Sequence, residues 1–380
     1  MLTAQGCRAR RERLWGALCE QIEWALIADP RHVHYFSNFW INPLSFSAGE
    51  RVFLLLERTG RATLMGDNFA LRAAAGEPLA DEVVGEKWYD HRHSVASRSG
   101  VLLAAVTRLL DRVAPAAGLV EGDWVPLAGL PFRNQRPDQV LGAVIRSLRR
   151  KKEADEISLL GQCIKAAAAG HARALEVVRP GVSEFDVYRE VQSASMEAAA
   201  RPLLVYGDFR ATTLHRPRAG GLPTGYELQD GDLFILDFSV VIDGYRSDTT
   251  NTIHAGDRPR ESQLELFEVC RQALQEGEAA LGPGASARHV YEVVSSRLAK
   301  AGHGPLRHHA GHGIGLSHPE PPILVPQSED ELVAGDVVTL EPGLYVEGIG
   351  GIRLEHNYLI TADSSVRLSH HALSLHQAHG

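Results

Sequence analysis

The sequence is poor in cysteine. Its four, Cys7, Cys19, Cys163 and Cys270, are scattered through 380 residues with no metal-ligand spacing. They offer no thiolate metal motif, and free thiols in a reducing cytoplasm are the expectation. No run of about 18 apolar residues occurs, so no membrane-spanning helix is expected. The opening stretch MLTAQGCRARRERLW lacks an apolar core and a cleavage pattern, so no signal peptide is expected. Basic runs are also scarce. The longest, Arg149-Arg150-Lys151-Lys152, reads as a solvated linker at a helix start, and the formal net charge is −8. A weakly acidic chain without longer basic runs argues against nucleic acid as the main partner.

What is present is ordinary for a soluble globular protein: 44% hydrophobic and 23% charged residues, with 18 histidines, several of them late in the chain. The length points to two or three domains. In the first, residues 1–150, strands are predicted at Ala25–Ile27, Val52–Glu57, Arg61–Met65 and Gly118–Val120, with a turn at Thr59-Gly60. Helices are predicted at Arg8–Gln21, Val101–Val113 and Asn134–Leu148. This alternation is that of an α/β layer domain, and it carries no phosphate loop or catalytic cluster.

Residues 151–380 read differently. Ile157, Leu160, Ile164, Ala167, His171, Leu175 and Val178 recur at helical spacing up to Pro180-Gly181, with His171 as a packed core histidine. Ser183 opens a second helix. The chain then repeats itself. Pro180-Gly181-x-Ser183 before Val187-Tyr188 recurs as Pro283-Gly284-x-Ser286 before Val290-Tyr291. Leu228-x-x-Gly231-Asp232 leading to Asp237 recurs as Leu332-x-x-Gly335-Asp336 leading to Glu341. Two matches at offsets of 103 and 104 predict a duplicated α+β unit with a pseudo-two-fold relation between its halves.

Within the first copy, Gly231–Thr252 reads as a β-hairpin. Leu233–Val241 is apolar and β-branched, and Asp243-Gly244 supplies a type I′ turn. That turn pairs Ile242 with Tyr245, Asp237 with Thr250 and Ser239 with Asp248. Asp237 and Asp248 become diagonal neighbours on one sheet face. Two carboxylates converging on a buried face require a shared proton or a cation. The pseudo-two-fold brings Glu341 towards Asp237. Glu355 lies in a predicted strand alternating Ile352, Leu354 and His356 with Arg353 and Glu355. In His308-His309-Ala310-Gly311-His312-Gly313-Ile314-Gly315, the glycines leave His312 open to close approach by a metal or substrate. Four carboxylates and one imidazole suit Mn²⁺, Co²⁺, Fe²⁺ or Zn²⁺ and balance two divalent cations. Such a pair activates water for hydrolysis of an amide, peptide or similar C–N bond.

These residues resemble the pita-bread metallopeptidases: methionine aminopeptidase, aminopeptidase P, prolidase and their relative creatinase. The family pattern is an Asp, a second Asp eleven residues on, a Gly-His-Gly, a Glu-Pro-Gly and a late Glu. Asp237, Asp248, Gly311-His312-Gly313, Glu341-Pro342-Gly343 and Arg353-Leu354-Glu355 match it over about residues 153–366. Asp29-Pro30 to Tyr35-Phe36-Ser37-Asn38-Phe39 resembles the extra N-terminal domain of the aminopeptidase P, prolidase and creatinase branch.

The resemblance implies an α/β N-terminal domain followed by an α+β pita-bread catalytic domain over residues 151–380. It implies two divalent ions on Asp237, Asp248, His312, Glu341 and Glu355, a small Xaa-Pro peptide as substrate, and a homodimer. His215 matches the upstream substrate histidine of the family, and Glu341 would also shuttle protons.

Three positions depart from the family. Pro319 stands where a histidine is usual, with His318 one place earlier as its candidate substitute. The prolidase arginine is absent from Glu320-Pro321-Pro322-Ile323. Asn251 replaces a common Arg. A creatinase-like hydrolase of a non-peptide substrate is the alternative reading, and a metal-free scaffold the third.

Overall fold

The computed structural model describes residues 1–113, 115–126 and 140–376. They fall into two compact units, Met1–Arg149 and Arg150–Gly380.

The first unit holds helices α1 (Ala4–Ala17), α2 (Pro30–Ser37), α3 (Asn68–Arg72), α4 (Arg98–Val113) and α5 (Leu141–Leu148). Its strands are β1 (Trp24–Ile27), β2 (Val52–Glu57), β3 (Ala62–Asp67), β4 (Glu82–Glu86) and β5 (Gly118–Val120). The sheet order is β4-β3-β2-β1-β5. Trp24, Leu26, Phe53, Leu55 and Met65 pack against Leu102, Val106 and Leu110 of α4. Each such fully buried side chain contributes roughly 1.5–3 kcal/mol. Helix α1 starts earlier than its apolar spacing predicts, because the Thr3 hydroxyl accepts a hydrogen bond from the Gly6 amide and caps it. Helix α2 is a new element: Asp29 caps it through the Arg31 amide and Pro30 sits in its first turn. Of the predicted Asn134–Leu148 helix, Leu141–Leu148 is helical, and residues 134–139 lie outside the described residues.

The second unit begins with helices α6 (Ala154–Val177) and α7 (Glu184–Ala199), then strands β6 (Leu204–Thr212), β7 (Leu233–Ile242), β8 (Tyr245–Arg246) and β9 (Thr249–His254). Helices α8 (Glu261–Ala279) and α9 (Ala287–Lys300) follow. The remaining strands are β10 (Gly311–Gly313), β11 (Glu320–Leu324), β12 (Val337–Leu340), β13 (Gly343–Val346), β14 (Gly350–Arg353), β15 (His356–Ile360) and β16 (Ser365–Arg367). Strand β7 pairs with β6, β8 and β9, and the order in the second sheet is β11-β10-β12-β15-β16. The hairpin register is the one its turn dictates. Ile242 faces Tyr245 and Asp237 faces Thr250, and Asp243 and Gly244 both have positive φ, 48° and 83°.

The duplication holds bond by bond. The Gly181 amide donates to Leu228 O and the Gly284 amide to Leu332 O, each at 2.8 Å. The Gly231 amide donates to Ala255 O and the Gly335 amide to Ile360 O, again at 2.8 Å. Asp232 accepts from the Gln229 amide and Asp336 from the Val333 amide. Ser183 and Ser286 cap α7 and α9. In each half a buried central strand, β7 or β12, takes antiparallel neighbours on both sides.

Two expectations change. The basic cluster is not a solvated linker. Arg149 is buried with Nη1 3.2 Å from His32 Nε2, Arg150 pairs with Asp336, and Lys152 Nζ lies 2.9 Å from Glu320 Oε1. Charge density marks ion-pairing capacity as well as exposure, and here the carboxylate partners come from distant sequence. The predicted strand through Leu354 is two strands, β14 and β15, broken at Leu354-Glu355.

His171 is a core residue, as its helical stripe implies. Its Nε2 is 3.0 Å from Thr249 Oγ1, and its ring stacks on His371 at 4.1 Å and 12°. Burial holds His171 well below the usual histidine range, and burial lowers His371 to about 4. Both are therefore neutral in the fold, while in the unfolded chain they titrate near 6.5. Below that pH the unfolded chain binds protons that the folded chain refuses, so stability falls as pH falls. The loss expected at pH 5 is up to about 2 kcal/mol per histidine. Urea unfolding at pH 7 and pH 5 measures it, and His371→Gln is expected to flatten the pH dependence.

Candidate metal centre

The duplicated hairpins place the acidic residues. Asp237 lies within β7, and its counterpart Glu341 directly follows β12. Asp248 lies in the bend between β8 and β9, and Glu355 in the break between β14 and β15. At the junction of the halves, the Thr250 hydroxyl donates to Glu355 Oε2 at 2.6 Å and the Glu355 amide donates to Thr250 O at 3.0 Å. A matched pair of bridges flanks this contact. Thr252 Oγ1 donates to Arg353 O and accepts from Arg353 N, both at 3.0 Å. Asn357 makes the same two bonds to the backbone of Asp248. The registers of the two halves make Thr252 and Asn357 equivalent, and likewise Asp248 and Arg353. The backbone of each half is thus clamped by a polar side chain of the other.

Three overlapping donor groups result, each with one ligand atom per residue and all atoms within 4.8 Å of one another. They are Asp237, Asp248 and Glu355; His309, His312 and Glu341; and Asp248, His312 and His318. His312 Nε2 is 3.4 Å from Asp248 Oδ2 and 3.5 Å from Glu341 Oε1. His318 Nε2 is 2.9 Å from Asp248 Oδ2. Tyr206, Gly207, Asp208, Phe238 and Ser239 line a cavity with Asp237, Asp248 and His318.

Two observations show that these residues fit a cation. His312 Nδ1 lies 2.9 Å from Gly313 O. A carbonyl only accepts, so Nδ1 is the donor in this contact and Nε2 is the ring atom left facing the carboxylates. A cation held between Nε2 and the carboxylate oxygens would satisfy both. In addition, Glu355 Oε1 is buried without a hydrogen-bond partner. The fixed counter-charge is Arg353, whose Nη2 is 2.5 Å from Asp237 Oδ2 and 2.8 Å from Asp208 Oδ2, with Nη1 3.1 Å from Tyr345 Oη. One guanidinium shared with Asp208 does not balance four carboxylates.

The titration of the group expresses this imbalance. Burial, opposed by Arg353 and reinforced by Asp248 and Glu341, lifts the Asp237 carboxyl to about 7. Burial and the charges of Asp248 and Asp237 push Glu355 well above the carboxylate range. Burial also works against the Glu341 charge, but the close contact with His309 Nε2 and the fields of His312, His309 and Arg353 outweigh it and hold Glu341 at about 2. The Asp248 contact raises His318 against the desolvation that lowers it. A divalent cation would compete with protons for Asp237 and Glu355.

The structure thus brings together Asp237, Asp248, His312, Glu341, Glu355 and His318. It does not bring His215 to them. His215 lies in the exposed Thr213–Arg216 turn with Glu347 as its charged neighbour, 3.9 Å away. The glycines around His312 serve strand packing. A Cβ on Gly311 would stand 2.0 Å from Thr339 O, one on Gly313 2.3 Å from Pro321 O, and one on Gly315 2.3 Å from Glu320 Oε1. Sequence reasoning missed Arg353, Tyr345, Asp208 and His309. The alternation that puts Arg353 on the same face as Glu355 was a usable signal for the first, and the His308-His309 doublet for the last. Asp29, His32 and Glu121 also cluster in the first unit, but there Glu121 accepts from the Ala28 and Asp29 amides and contacts His32, so that network is closed by its own hydrogen bonds.

A Xaa-Pro dipeptidase of Pyrococcus horikoshii is 31% identical over 231 residues, 60% of this chain and 64% of that protein, so the match spans just under two thirds of that relative. The structure of a Xaa-Pro dipeptidase from Bacillus anthracis superposes with a TM-score of 0.79 at 24% identity, covering 97% of this chain and 99% of that one. An X-Pro aminopeptidase from Thermotoga maritima superposes with a TM-score of 0.77 at 19% identity, covering 96% and 99%. The fold is therefore the pita-bread architecture, with its N-terminal α/β unit. The sequence pattern of metallopeptidase family M24 matches residues 158–362, more than half of the chain, and this protein belongs to that family.

Proposed function

We propose that this metallopeptidase hydrolyses the bond preceding proline in Xaa-Pro dipeptides or short peptides, using two divalent ions held by Asp237, Asp248, His312, Glu341 and Glu355. The observation that carries the reading is the complete donor set, with His312 Nε2 and the unpartnered Glu355 oxygen facing it. The substrate class follows the relatives, two dipeptidases and an aminopeptidase that are all named for Xaa-Pro or X-Pro bonds. When bound, the ions supply Lewis acidity and a water made acidic enough to serve as nucleophile near neutral pH.

The chain supplies the rest. Arg353 fixes the Asp237 carboxylate, and Thr250 orients Glu355 through its hydroxyl. Glu341, at the end of β12 beside the other donors, is the carboxylate placed to carry a proton from the attacking water to the leaving nitrogen. His318 stands in the cavity wall, 40% exposed and braced by Asp248, and donates a hydrogen bond to the substrate carbonyl oxygen. His215 takes no part in this scheme. The missing prolidase arginine favours one second reading, a non-peptide amide substrate as in creatinase. In the structure the only charged residue of Glu320-Pro321-Pro322-Ile323, Glu320, is occupied by Lys152. A panel of Xaa-Pro dipeptides, longer Xaa-Pro peptides and creatine-like amides separates the readings.

Asp248→Ala is expected to abolish peptidase activity and remove at least one metal equivalent, read by elemental analysis, while circular dichroism stays that of the parent. Retained turnover would reject the two-ion scheme. His318→Ala is expected to lower kcat by about 10²-fold with little change in KM. An unchanged kcat would remove His318 from the mechanism.

A further inference from the structure

His309 has no part in the donor set proposed above, yet it is built into the same wall. Its Nε2 lies 2.9 Å from Glu341 Oε1, the oxygen that His312 Nε2 approaches to 3.5 Å. The two imidazoles meet edge-on, with centroids 5.2 Å apart and planes at 82°. The position is rigid. The Glu341 amide donates to Ala310 O at 2.9 Å, and the Ala310 amide donates to Leu324 O at 2.8 Å. His309 and Glu341 therefore spring from directly bonded stretches of backbone. His308 Nδ1 donates to His309 O at 2.8 Å and fixes the peptide between them.

We propose that His309 is an additional metal ligand, so that the ion beside Glu341 is held by two imidazoles and a carboxylate. This rests on the metal-centre reading above. The consequence is a centre with two chemically distinct halves. Asp237, Asp248 and Glu355 offer oxygen alone, the donor set of harder ions such as Mn²⁺. His309, His312 and Glu341 offer two nitrogens and one oxygen, a set that suits Zn²⁺ and, next to it, Co²⁺. As a ligand His309 would offer Nε2 without its proton, as any imidazole ligand does. The chain would then hold Zn²⁺ or Co²⁺ beside Glu341 more tightly than Mn²⁺, while the other position accepts Mn²⁺.

The test uses the full chain stripped of metal, with Zn²⁺ and Mn²⁺ as competing probes, in the parent, His309→Ala and His309→Gln. The Gln variant keeps a hydrogen-bond donor for Glu341 but lacks the imidazole, so it separates ligation from bracing and covers the case in which Ala disturbs the loop. The Zn²⁺-to-Mn²⁺ affinity ratio of the tighter position is expected to fall about tenfold or more in both variants. X-ray absorption at the zinc edge, with one equivalent bound, is expected to count two imidazoles in the parent and one in each variant. An unchanged ratio together with one imidazole in the parent overturns the role of His309 and leaves the five-residue centre standing. A parent that takes up neither ion overturns the centre itself.

Discussion

Four carboxylates gathered around a single shared guanidinium are the constraint on which the second unit is arranged. Asp237, Asp248, Glu341 and Glu355 have at most partial access to water, and Arg353 reaches only the first of them. Buried charge of one sign is costly at several kcal/mol per ion unless it is neutralised. Protons on Asp237 and Glu355 are the neutralisation available to the bare chain. The apolar strands that carry these residues are what make the site dry enough for a cation to be worth more than those protons.

Duplication is the means by which the constraint is met. A single hairpin sets two carboxylates diagonally on one face, and a second copy adds Glu341 at the position equivalent to Asp237. The halves are then made unequal where chemistry needs it. Thr250 stands opposite Asp237 and Glu355 opposite Glu341, while the position of Asp248 in one half is Arg353 in the other. An acid in one copy and a base in its counterpart give the junction a fixed positive charge that a symmetric pair of acids would lack. Thr252 and Asn357 clamp those two positions by the same pair of backbone bonds, so the backbone stays symmetric while the side chains diverge.

Much of this was legible in the residues. The Asp243-Gly244 turn fixes which residues face each other along β7 and β9, because a two-residue turn with both φ angles positive leaves one register. The Gly-Asp and Pro-Gly repeats carried the duplication for the same local reason. Other signals misled. Arg149–Lys152 looked solvated because four adjacent cations usually are, yet Glu320 and Asp336 reach Lys152 and Arg150. The glycines around His312 looked like clearance for a ligand, and they are clearance for neighbouring strands. His215 has the right distance along the chain from Asp237, but the turn that holds it faces solvent.

The sequence by itself determined the hairpin register, the two-copy plan and the acidic and imidazole residues available to a metal. These follow from spacing, turn chemistry and periodicity, which act within a few residues and survive without knowledge of the fold. Only the tertiary structure decided that Arg353 ties Asp237 to Asp208, that His318 and His309 both stand edge-on to His312, and that one oxygen of Glu355 is left without a donor. The first and last of those facts depend on contacts between segments more than a hundred residues apart, where side-chain direction and burial are set by the packing of two halves against each other.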